Sequence, residues 1–415
     1  MNMIEKILAM HSGQKVARPG DIITCKADWA AVSDFTFAAE ENFFNLNKLY
    51  DPSHLIIVMD HKVPACTAGD AGHAVKIREF AKRLNVEHFF DVGRNGISHQ
   101  IIAEKGFAAP GKLIACSDSH TCAAGALNCC ARGLGAMEML YVVCKGETWY
   151  SVGPTIRYNI EGKLPSLVSG KDVFLYLANR YGDIANRNIE FNGSGITNLS
   201  IADRQCIATM CAEISAEFVI FPCDRLLLDY LKDRAIGGFE PVESDPDALY
   251  EDIRTICLDQ MVPYITLPHY VPNNCKPVTE LAGMKIDQAF VGSCANGRIE
   301  DIAVAAELLS GKTIHPDVRL IVTPASQSVF REAVLLGYVG TLIDAGALVT
   351  NPTCGACIGE HMGLIGAGER CISSSARNFK GRMGDPDSEV LLASPATVAA
   401  SALRGAVTDP RYINV

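Results

Sequence analysis

Five times along this chain an apolar, β-type run ends abruptly in residues able to do chemistry. "HLIIVMDH" stops at Asp60 and His61, "HFFDVGRNGISH" reaches His99, and "KLIACSDSH" closes on Asp118, Ser119 and His120. "AFVGSCANGR" carries Cys294, and "TLIDAGALVTNPTC" ends at Cys354. Each reads as a strand followed by a loaded loop. Helical patterns intervene. "RIEDIAVAAELLSG" places Ile302, Ala305, Ala306 and Leu309 on one face with Gly311 as its stop; "SQSVFREAVLLG" has Ser326 as cap and Gly337 as stop. Strands alternating with helices predict largely parallel α/β sheets, in which ligands collect beyond the carboxyl ends of the strands. The loaded loops of any one domain are therefore expected on one side of it.

A chain of 415 residues exceeds one ordinary core, so two or three domains of roughly 100 to 200 residues are expected. Near Gly153 the texture changes to "PTIRYNIEGKLP", where alternating Ile156, Tyr158 and Ile160 read as a half-exposed strand opening a new unit. Pro263, Pro268, Pro272 and Pro277 read as a stiff connection. The resulting blocks are 1–153, 154–278 and 279–415.

No run approaches the roughly 18 apolar residues of a membrane helix. "MNMIEKILAMHSGQ" shows no cleavage signal and reads as an amphipathic first helix with Ile4, Ile7 and Leu8 inward, which points to the cytoplasm and away from a membrane. A formal net charge of -10 without a basic run argues against nucleic-acid binding. An anionic substrate would have to be held by a few local arginines against the global field.

Sixteen cysteines in a reducing compartment point to metal or catalytic use for some and packing for most. Cys354 and Cys357 in "NPTCGACIG" form a C-x-x-C pair, compatible with half a zinc site, a redox dithiol or part of an iron–sulfur site. A second zinc half-site is missing from the sequence, and the pair lies late and loop-like rather than opening a helix. With Cys294 as third strand-end thiol, three thiolates suit a [4Fe–4S] cube whose fourth iron has no protein ligand. Such an iron is a Lewis acid, and Asp60, His61, His99, Asp118 and His120 are acids and bases that could protonate a departing hydroxyl. "SARNFKGRMGDP" adds Arg377 and Arg382, planar forks that match carboxylates. Cys129, Cys130, Cys206, Cys223 and Cys257, in apolar context, read as packing residues.

With these motifs assembled, the chain closely resembles the aconitase superfamily, in particular the large subunits of the two-subunit isopropylmalate isomerase and homoaconitase type. "GSCANGRIEDI" and "NPTCGACIG" resemble the two cluster motifs, and the likeness runs from "IEKILAMHSG" to "LASPATVAASALRG". The resemblance implies three α/β domains around a central [4Fe–4S] cluster with one iron not ligated by protein. Cys294, Cys354 and Cys357 would be the ligands, with Asn296 beside them. Asp60, His61, His99, Asp118, His120 and Glu213 would form the catalytic network; Ser119, Arg377 and Arg382 would meet substrate. Where the family carries two Asn and a Gln, this chain has Thr209, Ala376 and, in the early helix region, Ala38. The fourth, swivelling domain is missing, so the resemblance implies a separately encoded small subunit carrying the base. The expected activity is a hydro-lyase or isomerase acting on a small anionic hydroxy di- or tricarboxylate. Isopropylmalate or a branched malate such as dimethylmalate comes first, then homoaconitase or aconitase substrates. A non-catalytic iron–sulfur sensor and a zinc enzyme are the rival readings.

Overall fold

The computed structural model describes residues 1–413, which divide into two compact units. The first comprises Met1–Gly162 and Ile184–Ile256; the second comprises Lys163–Asp183 and the chain from Cys257 onward.

In the first unit a five-stranded sheet has the order His88–Phe90, Leu55–Val58, Trp29–Ser33, Leu113–Cys116, Cys130–Gly133, with every neighbouring pair parallel. Its strands alternate between two cores. Ala31, Ile56, Val58 and Ile114 pack with Ile101, Ile102 and Phe107, whereas Val32, Leu55, Ile57 and Ala115 pack with Ile77, Phe80, Met139 and Val142. Burial on both faces explains why these strands read as continuous apolar runs. A second sheet in this unit orders Val219–Ile220, Asn188–Asn192, Thr155–Glu161 and Asp252–Cys257. The first helix, Met3–Ser12, is closed by an Asn2/Glu5 capping box and buries Ile4, Ile7 and Leu8 completely, as the amphipathic reading expects.

The second unit holds a parallel sheet of order Leu348–Val349, Arg319–Val322, Gln288–Val291, Arg370–Ser373, Glu389–Leu392. Helix Ile299–Leu309 lays Ile302, Ala305, Ala306 and Leu309 into its core. Ser326 caps helix Gln327–Leu335 by accepting from the Val329 amide at 3.2 Å. The proline-rich stretch is not a linker. Tyr264–Thr266 pairs antiparallel with Cys275–Pro277, and Pro263 and Pro277 stand at or just beyond the strand ends, where a missing N–H does least harm.

The sheets lie within the blocks 1–153, 154–278 and 279–415, but the compact units regroup them, and helix Gly170–Tyr181 joins the last block instead of the middle one. No helix among the described residues is long and apolar enough to cross a membrane.

Candidate active site

At the carboxyl edge of the first five-stranded sheet, three neighbouring strands deliver a buried acid–base network. Asp60 and His61 follow Leu55–Val58, and both are buried. Asp60 accepts through Oδ2 from the amide and the hydroxyl of Ser98, each at 2.8 Å. Burial pushes its carboxyl up from the ordinary range. Its neighbour is held the other way. Burial alone would lower the His61 imidazole, but the charges of Asp60, Asp34 and Asp118 outweigh it and push it up to about 10.

His99 lies in helix Ser98–Glu104, and its Nε2 is 2.9 Å from Asp118 Oδ1. Asp118, directly beyond Leu113–Cys116, caps the 3-10 helix Ser119–Leu127 by accepting from the His120 amide at 2.8 Å. Burial would raise its carboxyl; His99, then His120, hold it well below the usual carboxylate range. His120 turns its Nε2 to Glu213 Oε1 at 2.8 Å, and both side chains are almost entirely buried. One ligand atom each of His99, Asp118 and His120 lies within 4.8 Å of the others, so one carboxylate serves two imidazoles. Ser119 is exposed beside them. Gly133, paired with Cys116 across the sheet, backs this loop so closely that a Cβ there would run into the Asp118 carbonyl.

One member of this network escaped sequence reasoning. Asp34 opens helix Asp34–Ala39 directly after strand Trp29–Ser33, and it is buried against the Asp60–Lys62 loop. The signal was available, because "WAAVSD" is a sixth apolar run ending in a carboxylate. Ala38, on the same short helix, is exposed.

The cysteines belong to the second unit. Cys294 sits in the turn Ser293–Asn296, immediately beyond strand Gln288–Val291. Ser293, buried, takes φ of +79°, a strained value for a residue with a side chain. Ser374 Oγ accepts from the Gly292 amide at 3.0 Å, and Arg298 donates to the carbonyls of Ala295 and Cys294 at 2.7 and 2.8 Å. Asn296 gives its side-chain amide to Asp301 at 2.8 Å. Cys354 and Cys357 follow the strand Leu348–Val349, two places along the same parallel sheet. Arg382 donates its Nε–H to the Cys357 carbonyl at 2.8 Å. The three cysteines are 5%, 8% and 2% exposed, so their sulfurs are shielded from bulk water. The two arginines bind carbonyls, not sulfurs. Three soft thiol donors beyond the carboxyl ends of one parallel sheet fit an iron–sulfur cluster.

Beyond strand Arg370–Ser373 the buried Lys171 ammonium donates to the carbonyls of Ser374 and Ser375 at 3.2 and 2.6 Å. Arg377 is half-buried, with its guanidinium 5.8 Å from the Phe379 ring centroid; Arg382 is half-buried too. Ala376 is fully buried. Thr209 is buried as well and turns its hydroxyl back to the Gln205 carbonyl at 2.6 Å.

Comparison with known proteins identifies the family. The model of the aconitase family (aconitate hydratase) matches residues 5–282 and 269–405. The 3-isopropylmalate dehydratase large subunit of Mycolicibacterium smegmatis is 49% identical over 100% of this chain and 97% of its own length. That of Moorella thermoacetica is 41% identical over 100% and 99%, and large subunit 1 of Methanopyrus kandleri is 43% identical over 99% and 98%. A solved structure, Thermococcus kodakaraensis aconitase X in its holo-form, shares 12% identity at a TM-score of 0.48, covering 85% of this chain and 84% of its own. With family-model matches that reach from residue 5 to residue 405 and relatives aligned end to end, the chain belongs to the aconitase family and is an iron–sulfur hydro-lyase.

Proposed function

We propose that this chain is the cluster-bearing large subunit of a two-subunit dehydratase that removes water from 3-isopropylmalate or a closely related branched malate and adds it back. The substrate class rests on the full-length relatives named as 3-isopropylmalate dehydratase large subunits. Cys294, Cys354 and Cys357 would hold a [4Fe–4S] cluster. When bound, such a cluster supplies one Lewis-acidic iron without a protein ligand, which polarises a hydroxyl and makes it a better leaving group.

The chain's own residues supply the proton chemistry. His61, buried among carboxylates whose charges push it up, is the acid for the departing hydroxyl. As carbon–oxygen bond cleavage proceeds, the His61 proton goes to the hydroxyl oxygen, and water leaves. His99 and His120 both face the Asp118 carboxylate, at 2.9 and 3.6 Å, which fixes the two rings beside one another. Glu213 keeps the His120 ring oriented. Arg377 supplies a planar fork for a substrate carboxylate, with Ser119 at the exposed end of the network. The base that takes the carbon-bound proton is assigned to a separately encoded small subunit. The three-block division at residues 153 and 278 belongs to this same proposal.

The observation that carries the reading is the geometry of the network at one sheet edge, in which His61 Nδ1 stands 3.4 Å from the buried Asp34 carboxylate, His99 2.9 Å from that of Asp118 and His120 2.8 Å from that of Glu213. The test is reconstitution without oxygen together with the candidate small subunit. Formation of the unsaturated acid from 3-isopropylmalate, followed by its ultraviolet absorbance, is expected. An intact cluster with no turnover on any branched malate would leave an iron–sulfur binding protein instead.

A further inference from the structure

One carboxylate organises the loop that carries the acid. Asp34 Oδ1 accepts from the peptide N–H groups of Asp60 at 3.2 Å and His61 at 3.0 Å, and Oδ2 accepts from that of Lys62 at 2.6 Å. The same Oδ1 is 3.4 Å from His61 Nδ1. Three consecutive amides and one imidazole thus converge on a single side chain that is itself 2% exposed. Its own backbone is fixed from the other side, since Ser33 donates its amide to Thr36 Oγ1 at 3.0 Å and the Thr36 hydroxyl in turn meets Ser117 beside Asp118.

We propose that Asp34 is the positioning residue of the acid: it folds the Asp60–Lys62 loop, aims the His61 ring, and keeps that ring charged for proton delivery. The inference rests on His61 being the acid, as argued above.

A purely structural loop clamp accounts for two accepting oxygens, since an asparagine has only one, but it does not account for the imidazole at the same Oδ1 or for a further buried carboxylate set beside Asp60 and Asp118. Buried like charges at such proximity are unfavourable unless a cation stands among them. The groups facing His61 are Asp60 in its own loop, Asp34 from the helix Asp34–Ala39 and Asp118 from beyond the neighbouring strand; the Phe35 ring lies 5.3 Å away and brings no charge. Lys62, next in the loop, sends its ammonium to Asp70 at 3.0 Å.

The test uses the full-length chain with ring-labelled histidine. Its imidazole titrations are followed by NMR for the unaltered protein, for Asp34→Asn and for His61→Gln, the last serving to assign the His61 signal. The expected result is a His61 ring still protonated above neutral pH in the unaltered protein. Its titration should fall by roughly one unit or more in Asp34→Asn, and the alkaline limb of kcat/KM should fall with it when the small subunit is present. A His61 that titrates identically in both proteins would overturn the proposal. So would a neutral His61 in the unaltered protein at pH 7, a measurement that decides the matter even where Asp34→Asn does not fold. Should no small subunit give turnover, the functional reading fails separately while the titration still decides the role of Asp34.

Discussion

Arg382 reaches back across twenty-five residues to donate its Nε–H to the carbonyl of Cys357, 2.8 Å away. The sequence presents this arginine as a substrate fork, but part of its donor set is spent on the loop that carries Cys357, a proposed cluster ligand. Arg382→Met is therefore expected to reduce iron and acid-labile sulfide retained after anaerobic reconstitution. Lysine should not restore it, having a compact ammonium in place of a planar fork. Full cluster content in Arg382→Met would return the residue to a purely substrate-facing role.

Two buried cysteines of the same unit should behave oppositely. Cys357→Ser is expected to abolish the cluster. Cys371→Ser should leave it intact, because Cys371 lies within strand Arg370–Ser373 and burial pushes its thiol up to about 12, the behaviour of a packing residue. Iron content and visible absorbance of the two variants decide between these roles.

Glu213 accepts from, or shares a proton with, a buried imidazole. Glu213→Gln keeps the shape and removes the charge, so His120 loses the carboxylate that orients its ring. A fall in kcat of about 10²–10⁴ with an unchanged circular dichroism spectrum is expected. Activity within a factor of two of the unaltered enzyme would remove Glu213 from the network.

The acid loop should also leave a mark on stability. His61 is raised from an ordinary 6.5 to about 10 in the folded chain, so its contribution is complete below the unfolded value and is lost as pH rises through the folded one. Thermal unfolding midpoints are expected to fall from pH 7 to pH 10, and His61→Gln should flatten that decline. Asp118 acts at the opposite end: its folded value is depressed, so its contribution is present above the ordinary carboxylate range and is lost in acid.

Thr209, at the position where the resemblance implies asparagine, is completely buried with its hydroxyl bonded to the Gln205 carbonyl. Thr209→Asn adds volume to a filled site and is expected to cost about 1–3 kcal/mol of stability, measured by denaturant unfolding. A stable Thr209→Asn variant would mean that the surrounding cavity is larger than this packing implies.

The strand-end logic was readable because apolar runs, turn residues and chemical side chains are all local in sequence. It anticipated the carboxyl-edge placement of Asp60, His61 and Asp118 in one unit and of Cys294 and Cys354 in the other. Asp34 went unseen, although its strand is as long as its neighbours, because its partners lie twenty-six to twenty-eight residues away. The His120–Glu213 pair spans ninety-three residues, a distance that only the chain's topology closes. Locally, Pro263 to Pro277 read as a stiff connector because prolines oppose ladders, yet edge positions tolerate them, and a hairpin forms. Gly311 was expected to stop helix Ile299–Leu309, and the chain leaves the helix one residue earlier, at Ser310.

Gly133 has no side chain to offer, yet it backs the Asp118 loop so tightly that even a methyl group would displace it. Loss-of-function screens on this protein would thus return Gly133 alongside the acids and bases themselves. Drift at that codon would be purged as strictly as drift at Asp118, although it has no side chain with which to do chemistry. A catalogue of intolerant positions would then overstate the extent of the chemistry, because part of what selection guards here is the empty space behind a carboxylate.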